Sequence, residues 1–153
     1  MFVHFSTDYV FDGSKKVPYE ETDPTNPINV YGKTKLAGEE AIRNSGAAHL
    51  IFRTSWVYAT RGRNFLLTIL RLATEREELK IVADQVGAPT CALDLAEATT
   101  RILDEMIVVD KSRFISPEAT GTYHMTAAGQ SIGDGAMKFK RQAAPTLRRR
   151  LEE

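Results

Sequence analysis

Short apolar runs alternate along this chain with longer segments of helical period, and this alternation restricts the fold more than any other feature. Residues 2–5 form an apolar run closed by Ser6-Thr7-Asp8, as where a buried strand meets a loop. Over residues 29–45, Val30, Thr34, Ala37 and Ala41 recur at the spacing of a moderately amphipathic helix, and Gly46 stands where a helix end favours a left-handed residue. His49–Thr54 reads as a strand, residues 64–77 as a helix with Leu66, Ile69, Leu70 and Ala73 inward, and residues 79–83 as a strand. A third helix is expected over residues 92–107, with Leu95, Thr99, Ile102, Leu103 and Met106 on one face, and a fourth strand over residues 122–125. Such alternation predicts an α/β fold: a mostly parallel, doubly wound sheet with helices on both faces, whose ligands lie at the carboxyl ends of the strands. The loops after Phe5 and Thr54 are the places where a site is expected.

At 153 residues the chain is long enough for one domain, which buries roughly 70% of its unfolded surface. Acidic and basic residues balance at 20 each, so no nucleic-acid footprint is expected. Cys91 is the single cysteine, which excludes an internal disulfide framework and is read as a small buried hydrophobe. No apolar stretch approaches a membrane span, and a soluble, cytoplasmic protein is expected. Asp12-Gly13-Ser14 with Pro18, Pro24 and Pro27 marks an irregular loop longer than a compact domain keeps without function. Residues 1–128 are read as the folded domain. Residues 129–153, with Lys138, Lys140, Arg141 and Arg148-Arg149-Arg150, are read as a basic, weakly ordered tail. His4, His49 and His124 lack metal-ligand spacing, and no metal is expected.

The chemistry concentrates at Tyr31 and Lys35, four apart and so on one helix face. An ammonium beside a phenol stabilises the phenolate and suits the phenol to general acid–base work, and the same ammonium can bond ribose hydroxyls. Taken alone, the pair reads rather as a half-buried tyrosine beside a solvated lysine, and its context reverses that. Thr7, closing a strand at the expected carboxyl edge, adds a hydroxyl able to reach the oxygen that Tyr31 protonates. Ser6 and Asp8 read either as site residues or as turn formers. Trp56 at a strand end reads either as core packing or as a substrate contact.

The series Ser6-Thr7-Asp8-Tyr9-Val10-Phe11-Asp12-Gly13, Asn29-Val30-Tyr31-Gly32-Lys33-Thr34-Lys35-Leu36-Ala37-Gly38-Glu39, Arg53-Thr54-Ser55-Trp56-Val57-Tyr58, Asn64-Phe65 and Asp84-Gln85-Val86-Gly87-Ala88-Pro89-Thr90 resembles the dTDP-4-dehydrorhamnose reductase family. That family belongs to the extended short-chain dehydrogenases. The resemblance covers about residues 3–125. It implies a Rossmann-like fold and reduction of the 4-keto group of a dTDP-linked 6-deoxyhexose to dTDP-L-rhamnose with NADPH, or NADH. It further implies that Tyr31 donates the proton, that Lys35 tunes Tyr31 and holds the nicotinamide ribose with Ser6 nearby, that Thr7 bonds the carbonyl oxygen, and that Asp8 and Trp56 lie beside the sugar. Related 4,6-dehydratases typically carry Asp-Glu after the threonine; Asp8-Tyr9 favours reduction.

The family's glycine-rich loop, which cradles the cofactor pyrophosphate, has no counterpart among the ten glycines. The resemblance fades after Met125. An incomplete chain is therefore expected, with N-terminal strands missing, an open sheet edge, and a homodimer or the missing N-terminal half as partner. Two other readings stand beside the reductase: a noncatalytic module similar to the regulatory subunits of methionine adenosyltransferase, and an inactive truncated relic.

Overall fold

The computed structural model describes residues 1–76, 78–79, 85–108, 119–127 and 131–132. In chain order these form β1 (Phe2–Thr7), a 3-10 turn (Asp8–Val10), α1 (Val30–Asn44), β2 (His49–Thr54), β3 (Val57–Tyr58), α2 (Phe65–Glu75), β4 (Val86–Gly87), β5 (Thr90–Cys91), α3 (Ala92–Val108), β6 (Gly121–His124) and β7 (Ser131–Ile132). They divide into two units, Met1–Ser55 with Asp94–Thr126, and Trp56–Leu93 with Ala127–Glu153.

The first unit is built on a parallel sheet in the order β1-β2-β6. Its register runs from Phe2↔His49 to Thr7↔Thr54 and from Leu50↔Gly121 to Arg53↔His124. Parallel strands require crossovers, and α1 supplies the one between β1 and β2. The middle strand is buried at all six positions. Leu50, Ile51 and Phe52 join Val10, Phe11 and Leu95 as the apolar core. The first strand extends beyond the apolar run expected from sequence, because Ser6 and Thr7 continue the ladder with Arg53 and Thr54. Among the described residues β1 is an outer strand, and Phe2 and Phe5 remain 50% and 41% exposed.

The first helix sits where expected but presents a different face. Val30, Thr34, Ala37 and Ala41 are exposed, whereas Gly32 and Glu39 are buried. The physical reason is Glu39: a carboxylate satisfied by buried donors turns its own side of the helix inward, ahead of small apolar residues. Asn29 caps the helix by accepting from the Gly32 amide at 2.7 Å.

The second unit pairs β3 with β5 in parallel and β4 with β7 antiparallel. Its helix α2 is capped by Asn64, which accepts from the Leu67 amide at 2.9 Å. Ala73 is buried and Leu66, Ile69 and Leu70 are half-buried, as the helical spacing predicts. In α3, which continues into the first unit, Leu95 is buried and Thr99, Ile102 and Leu103 are half-buried. Of the strand expected over residues 79–83 only Leu79 is described, and it is buried. Asp84 and all of the expected tail except Ser131 and Ile132 lie outside the described residues. No described helix is long and apolar enough to cross a membrane.

Candidate active site

Three elements of the first unit converge at the carboxyl end of β1. Thr7 ends the strand and caps the turn that follows: its Oγ1 accepts from the Tyr9 amide at 3.3 Å and donates to Asp8 Oδ1 at 3.0 Å. Burial, only partly opposed by the Thr7 hydrogen bond, holds the Asp8 carboxyl above its ordinary value. The hydroxyl is thus already oriented by its neighbours.

The start of α1 is fixed on both sides of Thr7. Two residues before it, the Phe5 carbonyl accepts from Lys35 Nζ at 2.5 Å. Two residues after it, the Tyr9 ring meets the Tyr31 ring edge-on, with centroids 5.9 Å apart at 85°. A Cβ on Gly32 would stand 2.1 Å from the Tyr9 carbonyl oxygen, so only glycine lets the helix come this close. Tyr31 remains 53% exposed.

Ser6 stands one residue before Thr7 in β1. Its side chain is buried, and its hydroxyl donates to Glu39 Oε1 at 2.5 Å. Glu39, fully buried, also accepts from Arg53 Nε at 3.0 Å and Nη2 at 2.8 Å, and from Arg43 Nη1 at 3.2 Å. Burial pushes this carboxyl up, but the donors of Arg53, Ser6 and Arg43 outweigh it and hold the group below its ordinary value. The sequence reading gave Glu39 no role, although Tyr31, Lys35 and Glu39 follow one another at intervals of four along one face. Arg53, the lone charge in an otherwise apolar stretch of β2, was a second signal.

Arg53 also braces the long loop. Its Nη1 donates to the Glu21 carbonyl at 3.3 Å, and its guanidinium stands 5.1 Å from the Phe11 ring centroid. Phe11 stacks on Tyr19 at 4.2 Å. Asp12 accepts from the Ser14 amide, the Tyr19 hydroxyl and Asn26 Nδ2, and these donors, Ser14 first, place its carboxyl far below the ordinary range. Glu21 Oε1 accepts from the His124 amide at 2.8 Å, tying the loop to β6. At this same edge of the sheet two buried polar atoms, Thr54 Oγ1 and His124 Nε2, have no hydrogen-bond partner.

Trp56 belongs to the second unit. Its backbone is left-handed, with φ 43°, the one such residue other than glycine among those described. That conformation costs a bulky side chain about 1–2 kcal/mol. Its carbonyl accepts from the Thr90 amide at 3.2 Å.

The family described as RmlD substrate binding domain matches residues 1–144. A dTDP-4-dehydrorhamnose reductase of Burkholderia thailandensis is 55% identical over 135 residues, covering 88% of this chain and 44% of that protein. One from Salmonella typhimurium is 53% identical, covering 83% and 40%. Among solved structures, a dTDP-4-dehydrorhamnose reductase of Clostridium acetobutylicum superposes with a TM-score of 0.73 at 41% identity, covering 85% of this chain and 42% of that one. A Bacillus anthracis counterpart in complex with NADP gives 0.72 at 38%, with the same coverage. The chain spans less than half the length of these relatives.

Proposed function

The chain belongs to the RmlD substrate binding domain family, and from that premise we propose that it serves the NADPH-dependent reduction of the 4-keto group of a dTDP-linked 6-deoxyhexose, yielding dTDP-L-rhamnose for polysaccharide synthesis. The observation that carries this reading is the fixing of α1 on either side of Thr7, through Lys35 at Phe5 and Gly32 with Tyr31 at Tyr9. It sets a phenol, an ammonium and a hydroxyl around one strand end. Bound NADPH supplies the hydride. Tyr31 gives its phenolic proton to the carbonyl oxygen, and the Lys35 ammonium favours the phenolate left behind. Thr7 Oγ1 turns its hydrogen from Asp8 to the same oxygen, where negative charge develops.

The residues present suit such a cofactor: Tyr31 is exposed and Lys35 half-buried one turn further along the start of α1, and a ribose diol could meet both. Ser6 would meet it only by accepting, since its hydrogen is spent on Glu39. Asp8 and Trp56 are assigned to the sugar. In the polypeptide as its own cell makes it, Tyr31→Phe should lower kcat about a hundredfold or more for ketosugar-dependent NADPH oxidation. Full activity in that variant would remove Tyr31 from the chemistry.

A further inference from the structure

Gly87 has no side chain, and the place where one would stand is filled by an indole. A Cβ there would lie 2.5 Å from Trp56 Cε2, 2.8 Å from Nε1 and 2.9 Å from Cδ2, all inside any tolerable contact. Glycine therefore seats its bare backbone directly against the indole ring system. The same tryptophan is held in the left-handed region, and the Thr90 amide donates to its carbonyl within the β3–β5 pairing. A strained conformation persists only where its surroundings over-determine it, and strands on either side of this residue supply that determination. Trp56 remains only half-buried despite this seat.

From these observations we infer that Gly87 is a positioning residue: it fixes the Trp56 indole as a preset plate whose uncovered surface stacks on the C–H face of a deoxyhexose ring. An indole locked before binding has little rotamer freedom left to lose, so the stacking surface acts at full strength. The inference rests on the reading that Trp56 meets the sugar, and deepens it.

Trp56 is the single tryptophan in the sequence, so emission excited at the red edge, where the tyrosines do not absorb, reports on this plate alone. The full chain and its Gly87→Ala variant are compared in emission maximum, in acrylamide quenching, and in titration with dTDP-L-rhamnose. The added methyl should drive the indole outward by about 1 Å, shift the emission to the red, raise the quenching constant about twofold, and weaken dTDP-L-rhamnose binding about tenfold or more. Identical emission, quenching and affinity in the two proteins would overturn the inference. A wild-type emission unmoved by dTDP-L-rhamnose that dialysis shows to be bound would refute the sugar contact instead, while the quenching comparison still decides the role of Gly87. Should Gly87→Ala fold poorly, adding Trp56→Leu should restore its melting temperature, because the methyl meets indole atoms; failure of that rescue would refute the steric account.

Discussion

Replacing Gly32 with alanine sets two well-measured effects against each other. Alanine in a helix interior is favoured over glycine by about 1 kcal/mol, so propensity alone forecasts a more stable protein. The new Cβ, however, would stand 2.1 Å from the Tyr9 carbonyl oxygen and 3.0 Å from Pro27 Cβ. A comfortable carbon–oxygen contact is about 3.3 Å, so roughly 1.2 Å must open. Backbone blocks the relief, since the obstructing oxygen belongs to the turn after Thr7. The helix start is also held by Asn29 at the Gly32 amide and by Lys35 at Phe5. Overpacking of this kind costs about 1–3 kcal/mol, which exceeds or matches the propensity gain. The net loss, up to about 2 kcal/mol, should lower the melting temperature by up to about 8 °C for a chain of this size, where propensity alone would raise it. Gly38→Ala is the control on the same helix: the nearest atoms, of His4, lie at 3.7 and 3.8 Å, so propensity acts alone and the melting temperature should rise by about 2–4 °C. Because the Gly32 displacement acts beside Tyr31, kcat for ketosugar reduction should drop about a hundredfold in Gly32→Ala and hold in Gly38→Ala. Thermal unfolding of both variants decides the matter, and a rise of equal size in both would refute the steric argument.

Glu39→Gln should destabilise the fold by about 3–5 kcal/mol by leaving Arg53 buried without its counter-charge; adding Arg53→Met should recover much of that in denaturant titrations. The Glu39 carboxyl is held below its ordinary 4.5, so its contribution is complete above pH 4.5 and disappears as pH falls through the lowered value. Melting temperatures measured from pH 7 down to about 2 should therefore show a flatter acid limb in Glu39→Gln than in the parent, and parallel limbs would remove Glu39 as the source. Asn64→Ala deletes the cap of α2 and its bond to the Ala59 carbonyl, and equilibrium unfolding should register a loss of about 1 kcal/mol.

The element order was readable because core strands and helices differ in period, and His49–Thr54 matches the expectation residue for residue. The family resemblance likewise pointed to the reductases among which its relatives fall. What periodicity misread was the inward side of α1, since hydrophobic patterning treats every glutamate as solvent-facing and cannot see that Arg53, 14 positions away, neutralises Glu39. Nor could patterning show that the Ser6 hydroxyl donates to Glu39 on the neighbouring helix, 33 positions away. Gly32 and Gly87 were visible only as letters in longer matched stretches, because a close approach is a property of two segments and neither segment announces it alone.

The two tethers that frame the strand ends differ in reach. Arg53 meets Glu39 across 14 positions, whereas Glu21 meets His124 across 103. Closing the longer span costs about 1.8 kcal/mol more in chain entropy, three doublings at about 0.6 each. Helix and strand can therefore lock together before the loop is fastened to β6, and its bond to the His124 amide is the costliest in this unit to close and the first to be given up.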